Sequence, residues 1–428
     1  GMADGPLMRQ YRQMKEQYPD MVLFFRLGDF YEMFDDDALE VSALLNLTLT
    51  HRADSPMCGI PYHAAKNYLK RLLDAGKKIA ICEQTELSTS SKTLAKREVV
   101  RIVTPATVVD EDLLDDRSFN YIVCVFQCSC AFCDVSTGDF HLRSIQKENR
   151  IQGIRAVLEQ IAPREILVCE DEYFLDSAFK SAVDDFHAMV TKLPSWYFAT
   201  KSCFKLLCEQ AGVNSLAAYG LAPNDKLLGP AGALLRYVKE TSKSSVGHLT
   251  DYKVDSEDSY VFMDESSRRN LELFANLFDG SSRYSLFDTI NRTKTSGGSR
   301  LLKSWMSFPL RNLEKIKTRQ QWVGTLYRNP DELARVRGAI SSSMDMNRLT
   351  TRVLLKRAVP HDLVAIKQTI GSFFDLVSQN YESYSQLFEQ NLTQEALASC
   401  ADLMKVIHDA INEECLGQFT EGQVILPG

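Results

Sequence analysis

Met21-Val-Leu-Phe-Phe-Arg-Leu-Gly-Asp-Phe-Tyr-Glu-Met-Phe34 is the stretch on which the fold turns. Its first half, Met21–Leu27, is an apolar run of strand length, and Gly28-Asp29 ends it. From Asp29 to Leu45 the apolar residues take helical spacing. Asp29 suits an N-cap, and Glu32 follows three residues later, as in a capping box. A strand that runs into a helix through a glycine corner predicts an α/β module. The large side chains Phe30, Tyr31, Met33 and Phe34 then have two uses. They fill the core, or Phe30 projects from the corner as a wedge between bases, with Glu32 beside it to touch a base edge.

The flanks extend the same pattern. Leu7 to Tyr18 has helical spacing and stops at Pro19. Leu47–Thr50 alternates, and a Pro/Gly-rich loop is expected up to Pro61. Within it, Met57-Cys-Gly-Ile-Pro-Tyr-His63 reads as a tight loop feeding a helix on which Ala65, Leu69 and Leu72 share a face and Gly76 is the stop. His63, Lys66 and Lys70 share its polar face, either to meet phosphates or simply to be solvated. Lys78–Cys82 is a short strand and Ser88–Lys92 a polar loop. Past residue 115 come a hairpin, Tyr121–Phe126 with Ala131–Val135, and a third strand from Asp139. Helices follow at Ile151–Ile161 and Lys201–Ala211, separated by the strand Glu165–Val168. From about Leu227 the pattern is mostly helical.

A chain of 428 residues has room for roughly two to four domains. At 45% hydrophobic and 25% charged residues, disorder is excluded as its main state. The longest apolar runs, Met21–Phe25 and Tyr121–Phe126, are too short to span a bilayer. The polar N-terminus predicts no secretory leader. The net charge of −7 speaks against a uniformly basic nucleic-acid coat. Basic residues nevertheless concentrate: residues 264–370 hold 19 Lys and Arg against 10 Asp and Glu. These serve phosphate contacts, solvated helix faces or buried ion pairs, and the sequence does not choose among them.

Several catalytic devices are missing. No G-x-x-x-x-G-K-[ST], G-x-G-x-x-G, H-E-x-x-H or G-x-S-x-G occurs. Asp134 and Asp139 flank a Ser-Thr-Gly turn and read as turn and cap residues, or as the start of an acidic constellation. Eleven cysteines without a leader are expected to be reduced thiols. Cys124, Cys128, Cys130 and Cys133 lie close enough to suggest zinc, but their hairpin setting favours burial.

Taken together, Gly28–Phe34, Met57–His63, Ala80-Ile-Cys-Glu-Gln84 and Val99-Val-Arg-Ile-Val-Thr-Pro105 resemble the N-terminal part of the bacterial MutS family of DNA mismatch-repair proteins. Asp264-Glu-Ser-Ser-Arg-Arg-Asn-Leu-Glu272 and Gly298-Ser-Arg-Leu-Leu-Lys-Ser-Trp305 with Pro309 resemble its helical core. The likeness runs from about Pro6 to Val424, with departures at Ser296-Gly297 and Met346-Asn347. It implies a mixed α/β mismatch-binding domain over residues 1–115. A ribonuclease-H-like α/β connector without nuclease activity is implied over 116–250, and the first half of an all-α core or lever domain over 251–428. The chain stops at Gly422–Gly428, where the family continues, so a truncated piece of a longer protein is expected.

The resemblance also implies roles. Phe30 would enter the minor groove and stack on the mispaired base, and Glu32 would hydrogen-bond that base. Arg52, Met57, His63, Lys66 and Lys70 would be groove or phosphate contacts. The implied partners are double-stranded DNA with mismatches or small loops, a second copy in a full-length homodimer, and a downstream MutL-type repair factor, with no membrane involved. ATP and Mg would belong to an ATPase domain beyond this piece, which itself would have no catalytic residue, cofactor or metal. A cytoplasmic, nucleoid-associated protein is expected. Two readings compete with it: an interaction scaffold in which Phe30 is core, and a nuclease using connector carboxylates such as Asp134.

Overall fold

The computed structural model describes residues 5–86, 94–243, 246–256, 259–378 and 394–411. The expected loop Ser88–Lys92 and the stretch Gly422–Gly428 lie outside them.

The first sheet is built from β1 (Val22–Leu27), β2 (Phe30–Phe34), β3 (Thr50–Arg52), β4 (Ser55–Pro61), β5 (Ile79–Gln84) and β6 (Arg97–Val103), in the order β3-β4-β2-β1-β5-β6. Only β1 and β5 pair in parallel. Helix α1 (Pro6–Gln17) packs Tyr11 onto Phe25 and Phe34 on one face. Helices α2 (Asp35–Leu45) and α3 (Ala65–Asp74) cover Phe24, Tyr31 and Met33 on the other. Asp37 ties these layers together: it accepts hydrogen bonds from the Leu23 amide, the Tyr11 hydroxyl and Lys15.

Two expectations are corrected here. Residues 30–34 form a strand, and the helix begins at Asp35. The Asp29–Glu32 capping box therefore does not form. Gly28 (φ +62°) and Asp29 make a two-residue hairpin turn, the setting in which glycine at the first position relieves strain. Side chains then alternate, with Tyr31 and Met33 buried on one face and Phe30, Glu32 and Phe34 on the other. The supposed loop to Pro61 is also a hairpin. Ala53-Asp54 turns it, and Met57-Cys-Gly-Ile-Pro61 is part of strand β4. Gly59 and Pro61 had masked an alternating pattern.

The second sheet runs β11-β10-β7-β8-β9-β12, from β7 (Ile122–Phe126), β8 (Ser129–Asp134), β9 (Asp139–Ser144), β10 (Glu165–Cys169), β11 (Met189–Leu193) and β12 (Tyr252–Asp255). Strands β7, β8 and β9 are antiparallel, β10 and β11 parallel to β7. Strand β12 pairs with β9, so the sheet takes in residues past 250. Helices α4 (Arg150–Ile161), α5 (Glu170–Leu175) and α6 (Ser177–Asp184) pack on one side. Helices α7 (Thr200–Ala211) and α8 (Leu228–Ser242) pack on the other. Strand alternation sends Cys124 and Cys133 into one core and Cys130 into the other, while Cys128 sits in the turn. Thiols divided between the two faces of a sheet and its turn do not converge on one ion, and burial pushes those of Cys124, Cys130 and Cys133 up.

The rest is helical: α9 (Glu265–Asn270), α10 (Leu286–Ile290), α11 (Ser296–Ser307), α12 (Leu313–Tyr327), α13 (Pro330–Ile340), α14 (Met346–Leu354), α15 (Pro360–Ser378) and α16 (Gln394–Ala410). Side chains of Asp264, Ser285, Thr295, Asn312, Asn329 and Asp345 each accept a backbone N–H of the helix they precede, which is what starts those helices. Here the open question of the basic residues receives part of its answer. Arg300 is 2% exposed and donates to Asp345 (2.5 and 2.9 Å) and to the Asp116 carbonyl (2.7 Å). Arg348 holds the carbonyls of Asp115 and Ser118, each at 2.9 Å. Arg357 and Arg101 flank Asp110, and Arg352 pairs with Asp362. Arg300, Arg348 and Arg357 grip the acidic segment 110–118 that leads from the first sheet to the second, so this part of the basic stretch is structural.

Candidate nucleic-acid interface

The site grows out of one end of the first sheet. Register places Phe30, Glu32 and Phe34 of β2 beside Pro61, Gly59 and Met57 of β4, and Arg52 of β3 opposite Ser55 on the same face. Helix α1 covers this face at Phe34 and Phe25, where Tyr11 packs edge-on at ring distances of 4.9 and 5.5 Å. Its cover falls short of the hairpin tip. Phe30 consequently stands 44% exposed, whereas Phe34, four residues along the same face, is fully buried.

The tip is held from behind. On the opposite face Arg26 lies 3.8 Å from the centre of the Tyr62 ring and pairs with Glu83 at 3.3 Å. Tyr31 donates its hydroxyl to the same carboxylate. Arg26 also donates to the Gly28 carbonyl (2.6 Å), and the Tyr62 amide to that of Asp29 (2.9 Å). From β6, Arg97 donates to the Arg26 carbonyl at 2.7 Å and stacks over Phe25. The turn that carries Phe30 is thus tied to Tyr62 just past β4 and, through Arg26 and Tyr31, to β5 and β6, so the ring is presented on a prepared edge rather than a floppy one.

Glu32 is half-buried beside the ring. Burial pushes its carboxyl up from the ordinary value, and nearby Arg52 pulls it part of the way back. Among the described residues its carboxylate accepts no hydrogen bond. Such a group is suited either to accept from a donor outside the chain or, once protonated, to donate to an acceptor.

Of the seven residues singled out in the sequence, the structure brings together Phe30, Glu32 and Arg52. Met57 shares their face, but pairs with Phe34 and packs into the α1 core, so it is floor rather than fringe. His63 is exposed in the turn Tyr62–Ala64 that follows Pro61, its ring 5.9 Å from Tyr62. Lys66 and Lys70 are exposed on α3, which packs against the opposite face, and Lys66 lies 3.3 Å from Asp112. Sequence reading missed Gly59, Arg26, Glu83 and Tyr62. The signal for the first was available in principle: a lone glycine inside a strand marks close approach by another group. For the others no local signal exists, because they meet only across strands.

The competing nuclease reading finds no footing. Asp134 is wholly buried and spends its carboxylate on the amides of Asn120 and Ser136 (2.9 Å each) and on the Ser136 hydroxyl. Burial pushes it up, away from the charged form a metal needs. Asp139 is turned to His141, Tyr121 and Lys253.

Three family models match the chain in order: MutS domain I over residues 5–112, MutS domain II over 120–250 and MutS domain III over 266–427. Relatives named "DNA mismatch repair protein MutS" accompany them. That of Treponema denticola is 38% identical, over 99% of this chain and 49% of its own length. Those of Desulfosudis oleivorans and Treponema pallidum are 36% and 34% identical, over 99% and 100% of the chain and 49% and 48% of their own lengths. The chain spans about half the length of the curated relatives it matches.

Proposed function

Because the chain belongs to the MutS family, we propose that its first domain recognises mispaired or unpaired bases in double-stranded DNA and so serves the start of mismatch repair. The observation that carries this reading is the exposed Phe30 on a braced hairpin tip with Glu32 on the same face. Phe30 is the wedge. Inserting its ring from the minor groove unstacks a base step and kinks the duplex, at about a few kcal/mol. A mismatched step is already weakly paired and deforms at lower cost, so deformability rather than a base code supplies selectivity. Glu32 then contacts the mispaired base. Burial makes its carboxyl easier to protonate than an ordinary glutamate's, with Arg52 opposing; protonated on contact with a base it would donate to a purine ring nitrogen, while the charged form is repelled by intact duplex. Arg52 and His63 flank the tip, and Lys66 and Lys70 lie further off as phosphate contacts.

The relatives' greater length bears on the rest of the cycle. ATP with Mg, the homodimer and the MutL-type factor belong to this proposal only as properties of a full-length protein, as does placement at the nucleoid. The 428 residues contain no G-x-x-x-x-G-K-[ST] phosphate loop. No described helix is long and apolar enough to cross a membrane.

Fluorescence anisotropy with a labelled G·T duplex and its matched twin tests the reading. The mismatch is expected to bind tighter, and Phe30→Ala to erase that difference while leaving matched binding in place. Equal binding of both duplexes by the parent chain refutes it. Glu32→Gln is expected to raise affinity for the matched duplex, and an equal or lower matched affinity would count against the charge-repulsion role.

A further inference from the structure

We infer that Gly59 is a specificity-determining positioning residue: its lack of a side chain seats the Glu32 carboxylate flat on the sheet beside Phe30. The inference rests on the mismatch-reading role proposed above and adds to it a residue that acts only through Glu32.

Glu32 and Gly59 are direct cross-strand partners of β2 and β4. A Cβ built on Gly59 would fall inside the Glu32 carboxyl group, 2.7 Å from Cδ and 2.8 Å from Oε1, closer still to the other oxygen. Real side chains do not approach so closely, so any other residue must displace the carboxyl group. Nothing in the backbone asks for glycine here. Gly59 lies in a regular strand and is not among the positive-φ residues, in contrast to Gly28 at the neighbouring turn. Glycine within a strand is weaker than alanine by roughly 0.5–1 kcal/mol, so a strand glycine without a conformational reason signals close approach. The approaching group here is the one charged side chain that β2 carries.

The seat has two consequences. It keeps the carboxyl low against the sheet, on the face it shares with Phe30, where a base stacked on that ring would meet it. It also half-buries the group, consistent with the rise of its carboxyl above the ordinary range. A methyl at Gly59 would lift the carboxylate outward into solvent. The displaced group would be more easily charged and would face the phosphates rather than the base.

Two measurements on the full chain test this. The first needs no DNA. The Glu32 carboxyl is titrated by 13C NMR in Glu-labelled protein, its resonance assigned by its loss in Glu32→Gln. In Gly59→Ala the midpoint is expected to fall toward that of an ordinary glutamate, and an unchanged midpoint overturns the seat. The second is the ratio of G·T to matched affinity. Gly59→Ala is expected to lower it about tenfold, the scale of one base-edge contact. Added to Glu32→Ala it should lower the ratio no further, because Gly59 acts only through that side chain. A further drop in the double variant, or an unchanged ratio in Gly59→Ala while Phe30→Ala abolishes it, overturns the inference. A ratio that Phe30→Ala leaves intact refutes the wedge instead, and the titration still decides whether Gly59 seats Glu32.

Discussion

The two sheets are built alike, six strands with helices on both faces, yet the carboxylates Asp134 and Glu32, and the groups beside them, are treated in opposite ways. In the second sheet these groups turn inward and find partners. Asp134 is consumed by backbone amides, and His141 stands between Asp139 and Asp255 at 3.0 and 3.1 Å, stacked on Phe132. In the first sheet the layer formed by α1 ends before the hairpin does. That leaves Phe30 half in water and Glu32 shifted by burial without a hydrogen bond among the described residues. Perturbed groups are thus not in themselves a sign of function. His141 is perturbed because the fold satisfies it, Glu32 because the fold does not.

The sharpest way to break this contrast is to truncate one phenylalanine on each sheet. Phe179, fully buried under the second, is expected to cost about 3–5 kcal/mol on Phe179→Ala in urea unfolding. Phe30→Ala is expected to cost distinctly less, about 1–2 kcal/mol, since its ring is only partly buried within the chain. If Phe30→Ala costs as much as Phe179→Ala, the ring is core and the scaffold reading returns.

A pH series sharpens the contrast next. Burial opposes the charge on His141, but its hydrogen bonds to Asp139 and Asp255 outweigh that and raise its pKa to about 9. The folded value lies above the unfolded one, so its contribution is complete below about pH 6.5 and is lost as pH rises through 9. Stability attributable to this cluster should fall by up to about 3 kcal/mol over that window, and His141→Gln should flatten the dependence. A wild-type stability curve with no such slope would mean that the cluster is not charged as described.

The smallest effect is expected at the far face. Lys70→Ala should leave stability within about 0.5 kcal/mol, weaken both duplexes alike and reduce the salt slope of binding by about one. A selective loss of mismatch binding there would place the reading surface on α3 rather than on the hairpin tip.

A second contrast lies in the helical region. Phe278 is 97% exposed and Tyr327 79%, and the buried cluster around Leu349, Val364 and Ile370 is small beside the cores of the two sheets. Its best-buried cations point not into a helical core but at the acidic segment between the sheets, as Arg300 and Arg348 do. The arginines there serve as a clamp on that connection, an arrangement that charge counting could not separate from phosphate binding.

Much of this was legible in the linear chain. Helical spacing located α1, α3, α4 and α7, and short apolar runs bounded by turn residues located β1, β5, the β7–β9 meander and β10. Past Leu227 only the helical character was read, although the structure shows Asp264, Thr295, Asn312 and Asn329 capping their helices through local hydrogen bonds that need no distant partner. Separated motifs in a fixed order pointed to the family, and the residue types Phe30 and Glu32 pointed to the chemistry. Only the tertiary structure decided that 30–34 is a strand and 57–61 its neighbour. A five-residue segment fits either period, and cross-strand pairing, which is non-local, breaks the tie. The same non-locality hid the bracing of the tip by Arg26, Glu83 and Tyr62, the clamp on residues 110–118, and Gly59 beneath Glu32. Hydrogen bonds within a turn of helix are written in neighbouring residues. Contacts between strands depend on which residues the fold makes neighbours, and that is settled only when the layers close.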